Sequence, residues 1–374
     1  MIFGMDFSSL EETEKQGAVF RVDGKQVELV EELARCGVTS ARLRLWNDPY
    51  GKNGEPYMGG TCDIERVERL AQRAKDAGMS LLLDFHYSDF WCDPARQMIP
   101  KAWQGKTLDE LCPCVYEFTA RTLDRLDRKG LSPACVQVGN EITNGMLWPV
   151  GRLSENSPRQ GFDELAALLR AGCAAVRENS DAKVMLHLEN SGNNALWTEW
   201  LDAITERQVL FDILGASYYP YWHGDMEGLR ANLCACIGRY GKDISIVETA
   251  YPFTTRHYSP NSSTAALCIA DGAHRFDGSP VTHELSREGQ AAFISDLISL
   301  VEALPEGRGK SIYWWEPGWI PVPGSSWASP ASLAYCGETA KSCGNEWANQ
   351  CLFDYQGNAT PALEVIRNFN HAKA

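Results

Sequence analysis

The chain has 374 residues, of which 44% are hydrophobic and 22% charged. That is enough apolar material for a large core, and it excludes wholesale disorder. Thirty-five Lys and Arg against 49 Asp and Glu leave a net charge of −14, a field that repels polyanions and excludes nucleic acid as a partner. No apolar run approaches the roughly 18 residues of a membrane span, so no membrane is expected.

In chain order, short apolar segments alternate with longer helical patterns. The first four predicted strands are 2–8 (IFGMDFS), 40–46 (SARLRLW), 79–87 (MSLLLDFHY) and 134–142 (ACVQVGNEI). The other four are 183–190 (KVMLHLEN), 212–219 (DILGASYY), 243–251 (DISIVETAY) and 310–317 (KSIYWWEP). Between them lie amphipathic stretches at 27–37, 63–78 and 162–179. In the second of these, Ile64, Val67, Leu70, Ala71 and Ala74 share one helical face. Gly37, Gly78 and Gly130 each close a helical pattern ahead of a strand. Eight βα units over this length predict an α/β protein, a single (β/α)8 TIM barrel spanning 1–374. No phosphate-binding glycine loop follows the first strand, which disfavours an open doubly wound sheet. Segments after the strands are long (47–61, 88–106, 143–160, 252–285 and 319–359), with emphasis on strands 3, 7 and 8. Those before the strands are short, so chain length is invested in the face where barrels carry active sites.

Polar residues gather at the predicted strand ends: Asp6, Arg44, Asp84, His86, Asn140, Glu141, His187, Tyr218, Tyr219, Glu248, Trp315 and Glu316. One strand-end carboxylate is ordinarily a cap, and one histidine a satisfied structural group. Burying a whole set of polar groups without a task is costly. Glu141 ends the fourth strand and Glu248 the seventh, which face each other across a barrel. A retaining glycosidase needs two carboxyls about 5–5.5 Å apart, one as acid/base and one as nucleophile. Arg44 is the expected cation that keeps one of them ionised.

The motifs GMDFSS (4–9), RLRLWNDPY (42–50), LLLDFHYSDFWCDP (81–94), KAW (101–103) and VQVGNEITNGMLWP (136–149) resemble glycoside hydrolase family 53. So do HLEN (187–190), SYYPYW (217–222), VETAYP (247–252) and YWWEPGWI (313–320), all in order. The family consists of endo-β-1,4-galactanases, also called arabinogalactan endo-β-1,4-galactosidases. The resemblance implies Glu141 as acid/base, Glu248 as nucleophile and Asn140 as the partner of the sugar 2-hydroxyl. It implies that Arg44 and either Tyr218 or Tyr219 orient the nucleophile. Asp84 and His86 would line the pocket, with Trp315 as the platform beneath the sugar. Trp46, Asp89, Trp91, Trp103 and His187 would form cleft walls, and Asp6 would serve as a structural group at the barrel mouth. The expected substrate is β-1,4-galactan or a galacto-oligosaccharide, acted on by a monomer. Two other readings stand beside this one: a barrel hydrolase of other β-linked glycans, and a non-catalytic sugar-binding barrel.

No cofactor is expected. The loop 253–280 shows no recognised calcium motif, with Asp271 and Asp277 left as candidate ligands. Thirteen Cys is an odd number. Cys36, Cys173 and Cys234 read as small buried hydrophobes, and Cys336, Cys343 and Cys351 as a cluster where a metal or disulfide is conceivable. Free-thiol usage without a leader points to a reducing cytosol, whereas members of the family are mostly secreted. Of the 12 Trp, only Trp197 and Trp200 fall in a helical stretch. The others sit at strand ends or in the loops beyond, where flat apolar faces suit pyranose rings.

Overall fold

The computed structural model describes residues 1–154, 160–259, 266–269, 281–338 and 343–372. Eight parallel strands close into a barrel: β1 (Ile2–Asp6), β2 (Ser40–Leu45), β3 (Ser80–Phe85), β4 (Cys135–Val138), β5 (Lys183–Leu188), β6 (Ile213–Tyr218), β7 (Asp243–Thr249) and β8 (Gly309–Trp315). β1 pairs with both β2 and β8, so no sheet edge remains. Each strand is followed by an outer helix, from Leu29–Arg35 after β1 to Pro361–His371 after β8. The helices start where short polar side chains take up the free backbone donors. Asp63 accepts from Arg66 N, Asp225 from Gly228 N and Ser286 from Gly289 N. The helix Ile64–Asp76 buries Val67, Leu70, Ala71 and Ala74, the apolar face expected from the sequence. It stops at Gly78, whose φ of +83° suits a residue without a Cβ.

Inside the barrel, Leu82, Met185, Ile213, Val247 and Tyr313 form an apolar cluster. Towards the C-terminal ends the inward side chains become polar, and there the site is built. In the β6–β7 pairing, Ala216 lies opposite Ile246 but Ser217 lies opposite Glu248. The register skips Val247, a bulge of the kind that re-aims a side chain beside a site. Four non-glycine residues just beyond strand ends have left-handed backbones: Tyr87 (φ +50°), Glu141 (+47°), Asn190 (+56°) and Glu316 (+54°). Each costs on the order of 1 kcal/mol, and strain of this kind clusters where a site constrains the chain. A short hairpin (Phe20–Val22 with Lys25–Val27) and a two-residue ladder (Gly145–Met146 with Gly151–Arg152) were not anticipated, because each is too short to show periodicity.

β1 lies close to β8 because Gly4 has no side chain. A Cβ there would come within 2.3 Å of the Tyr313 ring and 3.0 Å of the Ser40 carbonyl. Tyr313 is itself held by Ser40 Oγ at 2.8 Å. Gly4→Ala is therefore expected to destabilise the barrel by about 1–3 kcal/mol, read as a lower urea midpoint with an unchanged slope.

Candidate active site

The polar layer is organised by Arg42 of β2, which is fully buried. Its Nη1 donates to Asp6 Oδ2 and to Glu248 Oε1, each at 2.8 Å. Its Nη2 donates to Asp84 Oδ2 and Asn140 Oδ1, each at 2.9 Å, and to Gln137 Oε1 at 3.1 Å. Gln137 Nε2 continues the network to Asp84 Oδ1 at 2.6 Å. One permanent cation thus joins groups from β1, β2, β3, β4 and β7. Burial alone would weaken its charge, but the three carboxylates raise its proton affinity well above the ordinary value.

Glu248 lies at the end of β7 with one oxygen on Arg42 and the other accepting from Tyr219 Oη at 3.2 Å. Burial pushes its carboxyl up to about 7, and Arg42 opposes the rise. Glu141 stands at the exit of β4. Its Oε1 accepts from Ser217 Oγ at 2.6 Å, and Ser217 Oγ is in turn 2.8 Å from His187 Nε2. Among the described residues no cation touches Glu141. Burial, followed by the charge of Glu248, pushes its carboxyl well above the carboxylate range, more than the Ser217 bond offsets. The two glutamates are pulled apart in proton affinity: one is paired with an arginine and the other is not. His187, buried beside Arg42, is held neutral by desolvation first and by that cation second.

Both glutamates open into a cavity of about 230 Å³. His86, Asn140, Tyr219, Trp91 and Trp315 line it with them, as do Cys92, Asp93, Trp222 and Trp347. A neighbouring cavity of about 320 Å³ shares Trp91, Trp315 and Trp347 and adds Trp319 and Trp327. Trp315 and Trp347 meet edge to face at 4.7 Å between ring centroids.

Several sequence expectations need correction. Arg44 does not meet Glu248. Two residues further along β2, it bonds Glu316 Oε1 at 2.6 Å and the Gly59 carbonyl at 2.9 Å, and lies 4.3 Å above the Trp91 ring. Side chains two apart on a strand share a face but stand about 6.6 Å apart in height, so Arg42 reaches Glu248 and Arg44 reaches the loops. Tyr218 points away from the cavity, stacking on Phe293 and donating to the Gly224 carbonyl. Asp84 and His187 are buried beneath the cavity as partners of Arg42, Gln137, Asn140 and Ser217. Trp46 is fully buried against Phe90 and Trp91. Asp89 accepts from the backbone of Asp48 and Lys101, with burial lifting its carboxyl to about 6. Trp103 packs on Phe118. Asp6, expected as a structural group at the barrel mouth, bonds Ser8 and Arg42 and lies outside the cavity lining.

Sequence reasoning missed Arg42, Gln137, Ser217, Glu189 and Asp93. Arg42, Ser217 and Glu189 carried a signal, since each lies two residues from a chosen residue on the same strand face. Asp93 lies in a loop with no periodicity. Asp271 and Asp277 lie outside the described residues. All thirteen cysteines are free thiols; Cys36, Cys173 and Cys351 are buried, and Cys234, Cys336 and Cys343 half-buried. Among the described residues no cluster of three or more His, Cys, Asp and Glu is arranged to hold a metal, and no helix is long and apolar enough to cross a membrane.

Residues 2–366 match the model of glycosyl hydrolase family 53. The endo-beta-1,4-galactanase of Bacillus subtilis (strain 168) is 33% identical over 385 residues, covering 98% of this chain and 85% of that protein. The arabinogalactan endo-beta-1,4-galactanase of Cellvibrio japonicus (strain Ueda107) is 33% identical over 383 residues, covering 99% and 92%. Among solved structures, the Ignisphaera aggregans GH53 catalytic domain superposes with a TM-score of 0.86 at 35% identity, covering 98% of this chain and 95% of that one.

The unpaired carboxyl has a consequence for stability. Glu141 holds its proton more tightly folded than unfolded, where the value is near 4.5. The folded state is therefore favoured less and less as pH rises above that point. Glu141→Gln keeps the Ser217 contact and removes this dependence. Its melting temperature is expected to exceed that of the wild type, by a margin that widens between pH 4.5 and pH 7.

Proposed function

We infer that the chain, which belongs to glycosyl hydrolase family 53, is a retaining endo-β-1,4-galactanase acting on galactan and type I arabinogalactan. The observation that carries the mechanism is the asymmetry of the two glutamates facing one cavity. Glu248 is held by Arg42 and Tyr219, and Glu141 has no cation.

Glu248, the more readily ionised of the two, attacks the anomeric carbon, with one oxygen anchored on Arg42. Glu141, the carboxyl that keeps its proton, gives it to the departing glycosidic oxygen, so the leaving sugar is released neutral. A covalent galactosyl–Glu248 ester results. Glu141, now ionised, takes a proton from water as the water attacks the same carbon. Glu248 leaves, and two inversions return the β configuration. Asn140 donates one amide proton to the Cys92 carbonyl at 2.9 Å, and its second would meet the sugar 2-hydroxyl. Trp315, with Trp91 and Trp347 around it, offers the flat face on which a pyranose ring stacks. The mechanism asks for no cofactor, because the carboxyls perform both attack and proton transfer. All these residues come from one chain, as a monomer requires. The second cavity walled by Trp319 and Trp327 supports endo action, since it extends the cleft past the bond being cleaved.

Glu248→Ala and Glu141→Ala are each expected to lower turnover of linear β-1,4-galactan by about 10³-fold or more. Proton NMR of the wild-type reaction should show the β anomer first. Near-normal turnover by either variant, or initial release of the α anomer, would remove the assignment. Faster turnover of mannan or xylan than of galactan would move the substrate to another β-linked glycan.

A further inference from the structure

The mechanism leaves one buried acid without a task. Glu189 follows β5, two residues beyond His187 on the same inward face, and is 2% exposed. Its Oε2 accepts from Thr143 Oγ1 at 2.5 Å and its Oε1 from Asn190 Nδ2 at 3.0 Å. Among the described residues no arginine, lysine or histidine pairs with it. A buried carboxyl served only by neutral donors is costly to keep ionised. It is also fastened to the acid/base. Thr143 lies in the single helical turn Ile142–Asn144, which begins at Glu141 in its left-handed conformation. The backbone of Glu189 is fixed as well, its carbonyl accepting from Trp197 Nε1 at 2.7 Å.

We propose that Glu189 is a positioning residue for the acid/base: through Thr143 it holds the turn that carries Glu141, and its carboxyl sets the pH up to which Glu141 keeps its proton. The inference rests on the reading of Glu141 as the acid.

The groups that face Glu141 are Glu248 from β7, Glu189 from β5, Asp93 from the loop after β3, Ser217 from β6, Tyr219 just beyond β6 and the neutral His187. Arg42 spends its donors on Glu248, Asp6, Asp84, Gln137 and Asn140. After burial and the charge of Glu248, the charge of Glu189 is the next influence raising Glu141. Glu189 is itself lifted to about 7, by burial against its Thr143 and Asn190 bonds. The charge on Glu189 therefore acts on the titration of Glu141 in addition to that of Glu248. As the first proton leaves, the remaining one is held more tightly, and the acid form persists to higher pH.

Glu189→Gln keeps the size of the side chain and removes the charge. Expected is a shift of the alkaline limb of kcat/KM for galactan to lower pH by about one unit, read as an about tenfold loss above the limb. Because the amide oxygen of Gln can still accept from Thr143, the loss above the limb should exceed any loss on the plateau below it. Thr143→Val withdraws the hydroxyl that favours the ionised Glu189, so the limb should move the same way. This variant decides the matter if the Gln protein fails to fold. Carboxyl ¹³C NMR of the free enzyme, with Glu141→Gln to assign the resonance, should show Glu141 titrating at lower pH in both variants. An unmoved limb and an unmoved Glu141 titration, with activity lost equally at all pH, would make Glu189 a purely structural acid and overturn the proposal. Failure of the wild type to release reducing ends from galactan would instead sink the galactanase reading, while the NMR titration would still judge Glu189.

Discussion

Everything at the mouth of this barrel depends on one buried guanidinium. Transferring an ion from water into a protein interior costs several kcal/mol, and the cost is offset only when its donors are well matched. Arg42 meets that condition. Its planar fork reaches Asp6, Asp84, Glu248, Asn140 and Gln137, so partners from β1, β3, β4 and β7 are locked to β2. A lysine could not substitute, because a single ammonium has three donors and no planar fork. The same contacts fix the rotamer of Glu248 and, through Asn140, the exit of β4 that bears Glu141.

The asymmetry between the two glutamates follows from that one charge. Both are desolvated, which favours the neutral form. Glu248 alone is given a cation to oppose it, and Glu141 receives only the Ser217 hydroxyl and carboxylate neighbours. The two carboxyls are thereby distinguished by environment, although the side chains are chemically identical. The arrangement works against stability, since a fold optimised for stability alone would not open Glu141 and Glu248 into one cavity with a third buried carboxyl, Glu189, close by.

A second ion pair supports the cleft. Arg44 and Glu316 sit one layer above Arg42, with Ser9 N donating to Glu316 at 3.0 Å. The guanidinium carbon of Arg44 stands 4.3 Å over the centroid of the Trp91 ring, and Trp91 meets Trp315 at 5.9 Å between centroids. A cation under an indole contributes roughly 0.5–2 kcal/mol and fixes the ring plane. The aromatic walls are therefore preorganised before sugar arrives, which spares the entropy of ordering them on binding. The tryptophan excess divides accordingly. Trp91, Trp222, Trp315, Trp319, Trp327 and Trp347 face the cavities, while Trp46, Trp103, Trp197, Trp200 and Trp314 pack into the protein.

The sequence by itself determined the closed barrel, its eight strands within a few residues, and that Glu141 and Glu248 meet at one pocket. These are local signals: apolar runs of strand length, helical periodicity with glycine stops, and carboxyls at strand ends on opposite sides of an eightfold repeat. Only the tertiary structure decided which neighbours serve those carboxyls. Period-two alternation turns both Arg42 and Arg44 inward and does not state their height against β7, so the choice between them awaited the barrel's stagger. Tyr219 and not Tyr218 reaches Glu248, because Ser217 faces inward opposite it at the β6–β7 bulge. A bulge has no signature in a single strand's sequence. Trp46 directly follows β2 and packs on Trp91, which lies in a long loop whose path is set by packing. The identity of the chemistry was local in the chain, whereas the assignment of proton and charge was a property of distances across the barrel.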